Sequence, residues 1–147
     1  MSKFANGLYT MTNPQKYVGT GRPRYRSGWE HAFMRFCDIN EHIVKWASES
    51  IRIPYFNPVL GKRTNYVPDF LIQYRNKNNR VVTELIEIKP KGQSVVESKQ
   101  NNAQRAVVAV NHAKWEAARA WCKQQGIAFR VITEDDIFRQ GGSRRRR

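Results

Sequence analysis

Cysteine is scarce in this sequence. Cys37 and Cys122 are the two present among 147 residues, and neither lies in a CxxC pair or near a histidine at metal-ligand spacing. This spacing disfavours a thiolate metal site or a redox pair, so we expect two buried free thiols. The sequence also lacks an apolar run near the ~20 residues that cross a bilayer, and it lacks a signal-peptide core. We therefore expect an intracellular protein that does not bind membranes.

Acidic residues are few as well. The chain has 12 Asp and Glu against 26 Lys and Arg, a formal net charge of +14. Such a surplus indicates a polyanionic partner, and nucleic acid is the first candidate. Residues 1–26 hold five basic and no acidic side chains, and Arg144–Arg147 add four more. We expect a basic N-terminal arm over residues 1–26 and a basic flexible tail over residues 141–147, although such a tail can also serve solubility alone.

The N-terminal arm mixes its positive charge with aromatic rings. Tyr9, Tyr17 and Tyr25 alternate with basic residues, glycine and proline. This mixture suits a segment that lies along a sugar-phosphate backbone. The arm is therefore expected to contact DNA.

The remaining sequence has the material for one α/β domain over residues 27–140. Its first helix is expected from Ser27, because Trp29, Phe33 and Phe36 fall on one helical face. Short extended segments follow from Ile43 and from Ile51.

The second half of the domain predicts a hairpin, two helices and a strand. The two apolar strands expected at Tyr66–Tyr74 and Val81–Lys89 flank a polar run that favours an antiparallel hairpin. A weak helix is expected over Ser94–Val110 and a strong one over His112–Gln125, with Asn111 as its N-cap and Gly126 as its C-terminal stop. A last strand is expected over 127–132. This order predicts a mixed central sheet flanked by helices.

Three charged residues stand at the ends of the two hairpin strands. Alternation along a strand sends Glu87 and Lys89 to one face, while Asp69 follows Pro68 in the neighbouring strand. Apolar neighbours surround them, and a core penalises unpaired carboxylates. Asp69 and Glu87 could therefore converge on one hard cation such as Mg²⁺.

A phosphodiester is the substrate that needs these groups. Its negative charge repels nucleophiles, so a metal must neutralise phosphate oxygens and lower the pKa of a water. Lys89 beside that metal could orient the water and stabilise the transition state. The alternative from spacing alone is a surface strand with an i, i+2 ion pair and an aspartate in a turn.

Glu30 has two interpretations. Ser27 and Glu30 fit the S-x-x-E capping box, in which the glutamate bonds back to the helix N-terminus. The other interpretation is a further carboxylate at the metal site. The sequence pattern leaves both open.

Beyond these residues, motifs along most of the chain resemble a known family. Asp69 with Glu87-Ile88-Lys89 is similar to the PD-(D/E)XK nuclease superfamily, and the wider set resembles the head completion nucleases of tailed bacteriophages, themselves similar to transposon end-cleaving endonucleases. The wider set comprises Asn13-Pro14-Gln15-Lys16-Tyr17, Tyr25-Arg26-Ser27-Gly28-Trp29-Glu30, Trp46-Ala47-Ser48-Glu49, Ile53-Pro54-Tyr55, Pro68-Asp69-Phe70, Glu87-Ile88-Lys89-Pro90-Lys91 and Lys114-Trp115-Glu116-Ala117-Ala118.

The resemblance implies a restriction-endonuclease-like fold and a Mg²⁺-dependent deoxyribonuclease, with Mn²⁺ as a substitute metal. Glu30, Asp69 and Glu87 would be the acidic ligands and Lys89 the catalytic lysine. The implied substrate is packaged double-stranded phage DNA, cut before tail joining, without a small-molecule cofactor. Phage head or neck proteins would be partners, and the location would be the host cytoplasm or the virion.

Three other functions compete with this expectation. A junction endonuclease would use the same motif but would need a symmetric dimer to cut two strands. A structural DNA-binding head protein would carry a vestigial site. A basic binding module unrelated to nucleases would leave the charges within apolar strands unexplained.

Overall fold

The fold was analysed in a computed structural model, in which residues 6–90, 101–133 and 135–136 are described. The helices are α1 (Gly28–Ile39) and α2 (Asn102–Gln125), and a short 3-10 helix spans Pro14–Lys16. The strands are β1 (Gly7–Leu8), β2 (Arg24–Tyr25), β3 (Ile43–Ser48), β4 (Ile53–Asn57), β5 (Lys62–Tyr66), β6 (Phe70–Arg75), β7 (Val81–Ile88) and β8 (Ala128–Ile132).

A four-stranded sheet in the order β3-β6-β7-β8 forms the centre of the domain. Its first three strands pair antiparallel, whereas β8 pairs parallel with β7 after the crossover through α2. The expected mixed central sheet with flanking helices is confirmed. Two smaller sheets, β1-β2 and β4-β5, lie outside this layer.

The two faces of the central sheet bury separate cores, because successive side chains along a strand point to opposite faces. On the α1 side, Phe70, Ile72 and Ile86 pack with helix residues Phe33 and Cys37. On the α2 side, Leu85 packs with Trp115 and Ala118 of the helix and with Tyr55 and Tyr66 of the β4-β5 hairpin. The odd-numbered positions of β7 therefore face α2.

Helix α1 begins where the sequence predicted. Ser27 is its N-cap, and the side-chain oxygen of Ser27 accepts a hydrogen bond of 3.1 Å from the backbone N–H of Glu30. Phe33 and Cys37 are almost fully buried. Burial of this apolar face holds the helix against the sheet.

The β6-β7 hairpin is confirmed, but the expected strand over residues 66–74 is wrong. Tyr66 ends β5, and β6 begins at Phe70. Pro68 between them has no N–H for a sheet ladder. Toward β7, the side chain of Asp69 accepts the hydrogen bond from Ile88, while the backbone carbonyl of Asp69 accepts one from Glu49, just after β3. Asp69 therefore lies just before a strand and not within one.

Helix α2 corrects the prediction of two separate helices. It is one helix of 24 residues whose N-cap is Asn101, which forms a capping box with Gln104. Asn111, expected as an N-cap, is buried in the middle of this helix. The expected stop at Gly126 is confirmed, since its φ of 74° is the left-handed conformation that glycine adopts readily. Residues 94–100 of the weak helix lie outside the described residues.

The described part of the N-terminal arm packs on the domain. Tyr9 is buried, and Tyr17 and Tyr25 contact the rings of Trp46 and His31. Tyr9 is therefore a core residue, whereas the expected contact of the arm with DNA stays a prediction. The arginine tail lies outside the described residues.

Both cysteines are free and buried, as expected. Neither α1 nor α2 is apolar enough over a sufficient length to span a bilayer, and these are the long helices of the described chain.

Candidate active site

Asp69 is placed at the end of the central sheet by the hairpin register. Phe70 pairs with Ile86, so the residue before Phe70 lies beside the last residues of β7. The Asp69 Oδ2 atom accepts a hydrogen bond of 2.8 Å from the backbone N–H of Ile88. This bond fixes one oxygen of the partly buried carboxylate next to Glu87.

Glu87 is a buried carboxylate on the α2 side of the sheet, with 3% of its surface exposed. Its Oε1 accepts a hydrogen bond of 2.8 Å from the Tyr66 hydroxyl, and its Oε2 lies 3.4 Å from the Lys89 Nζ. The i, i+2 ion pair considered in the sequence is therefore present. It is not a surface pair, because Glu87 lies in the core.

Lys89 directly follows β7. Its backbone N–H bonds to the Ile132 carbonyl at 3.0 Å, which continues the pairing with β8 and sets the direction of the side chain. That side chain is one-quarter exposed. The Lys89 side chain therefore contacts the buried Glu87 carboxylate and also has surface exposed to solvent.

Glu30 lies in the first turn of α1, and its Oε1 accepts a hydrogen bond of 3.0 Å from the backbone N–H of Arg26. The bond resembles a capping interaction, although its donor precedes the N-cap. The structure thus supports part of the capping interpretation. The charge of Glu30 also contributes to raising the pKa of Asp69, so Glu30 lies within electrostatic range of Asp69.

The charged forms of Asp69 and Glu87, the two acids at the end of the central sheet, are unfavourable without a cation. Burial, followed by the charges of Glu87 and Glu30, raises the pKa of Asp69 well above its ordinary value. Burial also raises the pKa of Glu87, even though Lys89 and the Tyr66 hydroxyl act in the opposite direction. Proximity of like charges and loss of water both favour the protonated acid. A bound cation would remove that penalty.

The donor set fits a hard divalent cation, because carboxylate oxygens are the ligands that Mg²⁺ and Mn²⁺ accept. Within the described residues, Asp69 Oδ1 and Glu30 Oε2 accept no hydrogen bond, so each retains its lone pairs for a cation. No three His, Cys, Asp or Glu side chains of that part of the chain are spaced to hold one ion together. Asp69 and Glu87 are thus the pair that the fold brings together, and Glu30 as a ligand stays a prediction.

Comparison with known proteins identifies the domain. The family described as "TnsA-like endonuclease N terminal" matches residues 40–134, more than half of the chain. The chain belongs to this family. It is also 33% identical over 143 residues to the head completion nuclease of Enterobacteria phage T4, an alignment that covers 90% of this chain and 93% of the relative. The resemblance to head completion nucleases and transposon end-cleaving endonucleases is confirmed.

The matched range of this TnsA-like domain contains three of the four predicted site residues. Asp69, Glu87 and Lys89 lie inside residues 40–134, while Glu30 precedes them on α1. The alignment with the phage T4 nuclease is longer and covers most of the chain. The range that matches the family model therefore includes β6 and β7, the strands at whose ends Asp69, Glu87 and Lys89 lie.

Two further residues of the TnsA-like domain, Tyr66 and Lys114, lie at the site without having been predicted there. Tyr66 bonds to Glu87, and the Lys114 Nζ lies 5.5 Å from the centroid of the Tyr66 ring. The signal for Tyr66 was its place two residues before Pro68. Lys114 belongs to one of the motifs that resemble the family. The sequence predicted that a separate helix begins after Asn111, which placed Lys114 in its first turn and gave no reason to connect it with the site.

Proposed function

We propose that this chain is a divalent-metal-dependent deoxyribonuclease that hydrolyses phosphodiester bonds at the end of the central sheet. The observation that carries the proposal is the placement of Asp69 and Glu87 together, in surroundings that raise the pKa of both, beside Lys89. Membership in an endonuclease family supports the same chemistry.

Asp69 and Glu87 would hold the cation, with Glu30 as the third acidic ligand, and Mg²⁺ is the proposed metal with Mn²⁺ as a substitute. When bound, such a cation neutralises phosphate charge and lowers the pKa of a water molecule. The protein orients both principal ligands in advance. Ile88 N–H fixes one oxygen of Asp69, and the Tyr66 hydroxyl fixes one oxygen of Glu87.

Lys89 would act on the reacting phosphate. Its ammonium is paired with Glu87 but retains exposed surface, so it can reach an anion on the solvent side. Negative charge increases on the phosphoryl oxygens as the nucleophile attacks, and a positioned ammonium stabilises that charge more than it stabilises the bound substrate. We assign Lys89 to transition-state stabilisation and to orientation of the attacking water.

The proposed substrate is double-stranded DNA. A net charge of +14 suits a phosphate backbone, with affinity that falls steeply as salt rises. The relative in phage T4 is named a head completion nuclease, and we propose the same setting here: cleavage of packaged phage DNA before tail joining. Head or neck proteins are the proposed partners, and the proposed location is the host cytoplasm or the virion.

A cleavage assay tests the proposal. Supercoiled and linear DNA would be incubated with the protein in Mg²⁺, in Mn²⁺ and in EDTA, and the wild type compared with Asp69→Ala at matched thermal stability. Cleavage is expected with either metal and not with EDTA, and Asp69→Ala should be inactive.

A vestigial site would give a different result. The wild type would bind both DNA forms without cutting either in any metal, which would contradict the proposed function. Cleavage that persists in EDTA or in Asp69→Ala would contradict the proposed site.

A further inference from the structure

Lys114 on α2 is a half-buried lysine whose ammonium has no carboxylate partner. Across residues 6–90, 101–133 and 135–136, no ion pair or hydrogen bond of its Nζ is found. What it does contact is the face of the Tyr66 ring, at 5.5 Å from the centroid. Cation–π contact of this kind stabilises an ammonium but does not neutralise its charge.

The position of Lys114 is tied to the proposed site through Tyr66. The Tyr66 hydroxyl donates to Glu87, so the ring beneath the ammonium is held by a site carboxylate. Lys114 is also within electrostatic range of Lys89, Glu87 and Asp69. Burial, and then repulsion by Lys89, lower its pKa, while the two acids act in the opposite direction.

Among the described residues no carboxylate pairs directly with this ammonium, and a half-buried charge without a direct partner is costly in a folded protein. DNA can supply such a partner, because every phosphodiester carries a negative charge and lysine binds phosphate as a point charge. Lys89 is already paired with Glu87. The two lysines therefore differ in their availability for the substrate.

We propose that Lys114 binds a backbone phosphate of the DNA strand being cut, next to the phosphate that reacts. The inference rests on the proposed function, since it assigns a substrate contact to the same site. Lys114 would thus fix the register of the strand, while Lys89 acts on the reacting group. The sequence motif around Lys114 then has a role beyond packing of α2.

The first test compares DNA binding by three variants. Lys114→Met keeps the apolar stem and removes the charge, Lys114→Arg keeps the charge, and Lys77→Met removes an exposed charge from the β6-β7 turn at the opposite end of the sheet. A short duplex would be titrated in Ca²⁺. Lys114→Met should raise Kd by about tenfold, the loss of one charge-assisted contact, while Lys114→Arg and Lys77→Met stay within about twofold of the wild type.

The second test locates the phosphate. Duplexes carrying one neutral methylphosphonate at each backbone position would be titrated with the wild type and with Lys114→Met. One position is expected to weaken the wild type by about tenfold and leave Lys114→Met unchanged, because the contact is already lost. All other positions should affect both proteins equally.

Two results would overturn the inference: unchanged Kd for Lys114→Met, or a methylphosphonate profile in that variant identical to the wild type. The second would mean that the lysine acts through packing or general charge. If Lys114→Met unfolds, Lys114→Gln replaces it in both tests. The profile is measured in Ca²⁺ and requires no cleavage, so a wild type that fails to cut would contradict the proposed function while the profile still decides the role of Lys114.

Discussion

Two buried acidic regions of this protein show opposite electrostatics. Asp38, at the end of α1, is fully buried and accepts hydrogen bonds from the Tyr9 hydroxyl and from the backbone N–H groups of Thr12 and Asn13 at 2.7–2.8 Å. Burial raises the pKa of Asp38, but these bonds outweigh it, and the pKa falls below its usual value. At the end of the sheet, the pKa values of Asp69 and Glu87 are raised instead.

The difference fits a structural role for Asp38 and the proposed metal-binding role of Asp69 and Glu87. Asp38 has its hydrogen-bond acceptors filled by the N-terminal segment, so its negative charge stabilises the native fold. Asp69 and Glu87 each have fewer donors and lie close to another acid. Their charges are unfavourable in the protein alone and would become favourable with the proposed cation bound. The four predictions below test this contrast.

The largest effect on cleavage is expected from removing the charge of Asp69 or of Glu87. Asp69→Asn or Glu87→Gln should reduce single-turnover cleavage by about a thousandfold or more, since each removes charge from a cation with few protein ligands. Without metal, the free energy of unfolding should stay unchanged or rise, because like-charge repulsion is relieved. Cleavage assays and urea unfolding in EDTA measure the two effects. A large loss of stability without metal would place these acids in the same class as Asp38.

Lys89 should affect rate without affecting binding. In Lys89→Met, turnover should fall by about a hundredfold, the usual effect of losing a positioned electrostatic group. DNA binding in Ca²⁺, which occupies oxygen sites, should be retained. A single-turnover assay beside a binding titration separates the two quantities. Near-normal cleavage would reduce the Glu87–Lys89 contact to an ordinary ion pair.

Asp38 should affect stability without affecting chemistry. Asp38→Asn replaces an acceptor of several hydrogen bonds with an amide that cannot accept them all, which should cost about 2 kcal/mol of unfolding free energy. Cleavage per folded molecule should remain at wild-type level well below the melting temperature. Chemical unfolding and an activity assay on the same preparation measure this contrast, and a catalytic defect in folded Asp38→Asn would refute it.

The pH dependence of stability should have opposite signs in the two regions. The raised pKa of Asp69 means that the folded state binds its proton more tightly than the unfolded state. In EDTA, stability from this group is therefore full below the ordinary aspartate pKa of about 3.9 and is lost as pH rises through the raised value. For Asp38, whose pKa is lowered, stability is present above the ordinary value and is lost as pH falls through the lowered one.

Unfolding curves of Asp69→Asn and Asp38→Asn across this pH range, each compared with the wild type, would measure the two contributions. Added Mg²⁺ should remove the Asp69 contribution alone. The same sign of slope for both variants would contradict the comparison of the two regions.

Much of the fold could be predicted because local chemistry determines it. The Ser27 cap, the antiparallel β6-β7 hairpin and the Gly126 stop all follow from short-range signals. The continuity of α2 could not be read locally, since Asn111 looks like a cap and is instead buried by tertiary packing. The burial of Tyr9 depends on Asp38, which is 29 residues away in sequence.

Part of the candidate site could also be predicted from short-range patterns in the sequence. Alternation along the strand expected over Val81–Lys89 placed Glu87 and Lys89 on one face, and the ion pair between them agrees with that placement. The position of Asp69 depended on the hairpin register. Tyr66 and Lys114 reach the site from β5 and α2. Their contacts depend on how these elements pack against the central sheet, which no short-range pattern around either residue predicts.

The register of the β6-β7 hairpin determines when the residues of the proposed site come together. A slip of one residue would turn Glu87 and Lys89 toward α1 and leave Asp69 facing the wrong backbone N–H. An unfolded or mispaired chain thus contains all the residues of the proposed site but does not bring them together. Cleavage at that site would require the native strand pairing, so a misfolded chain would be inactive.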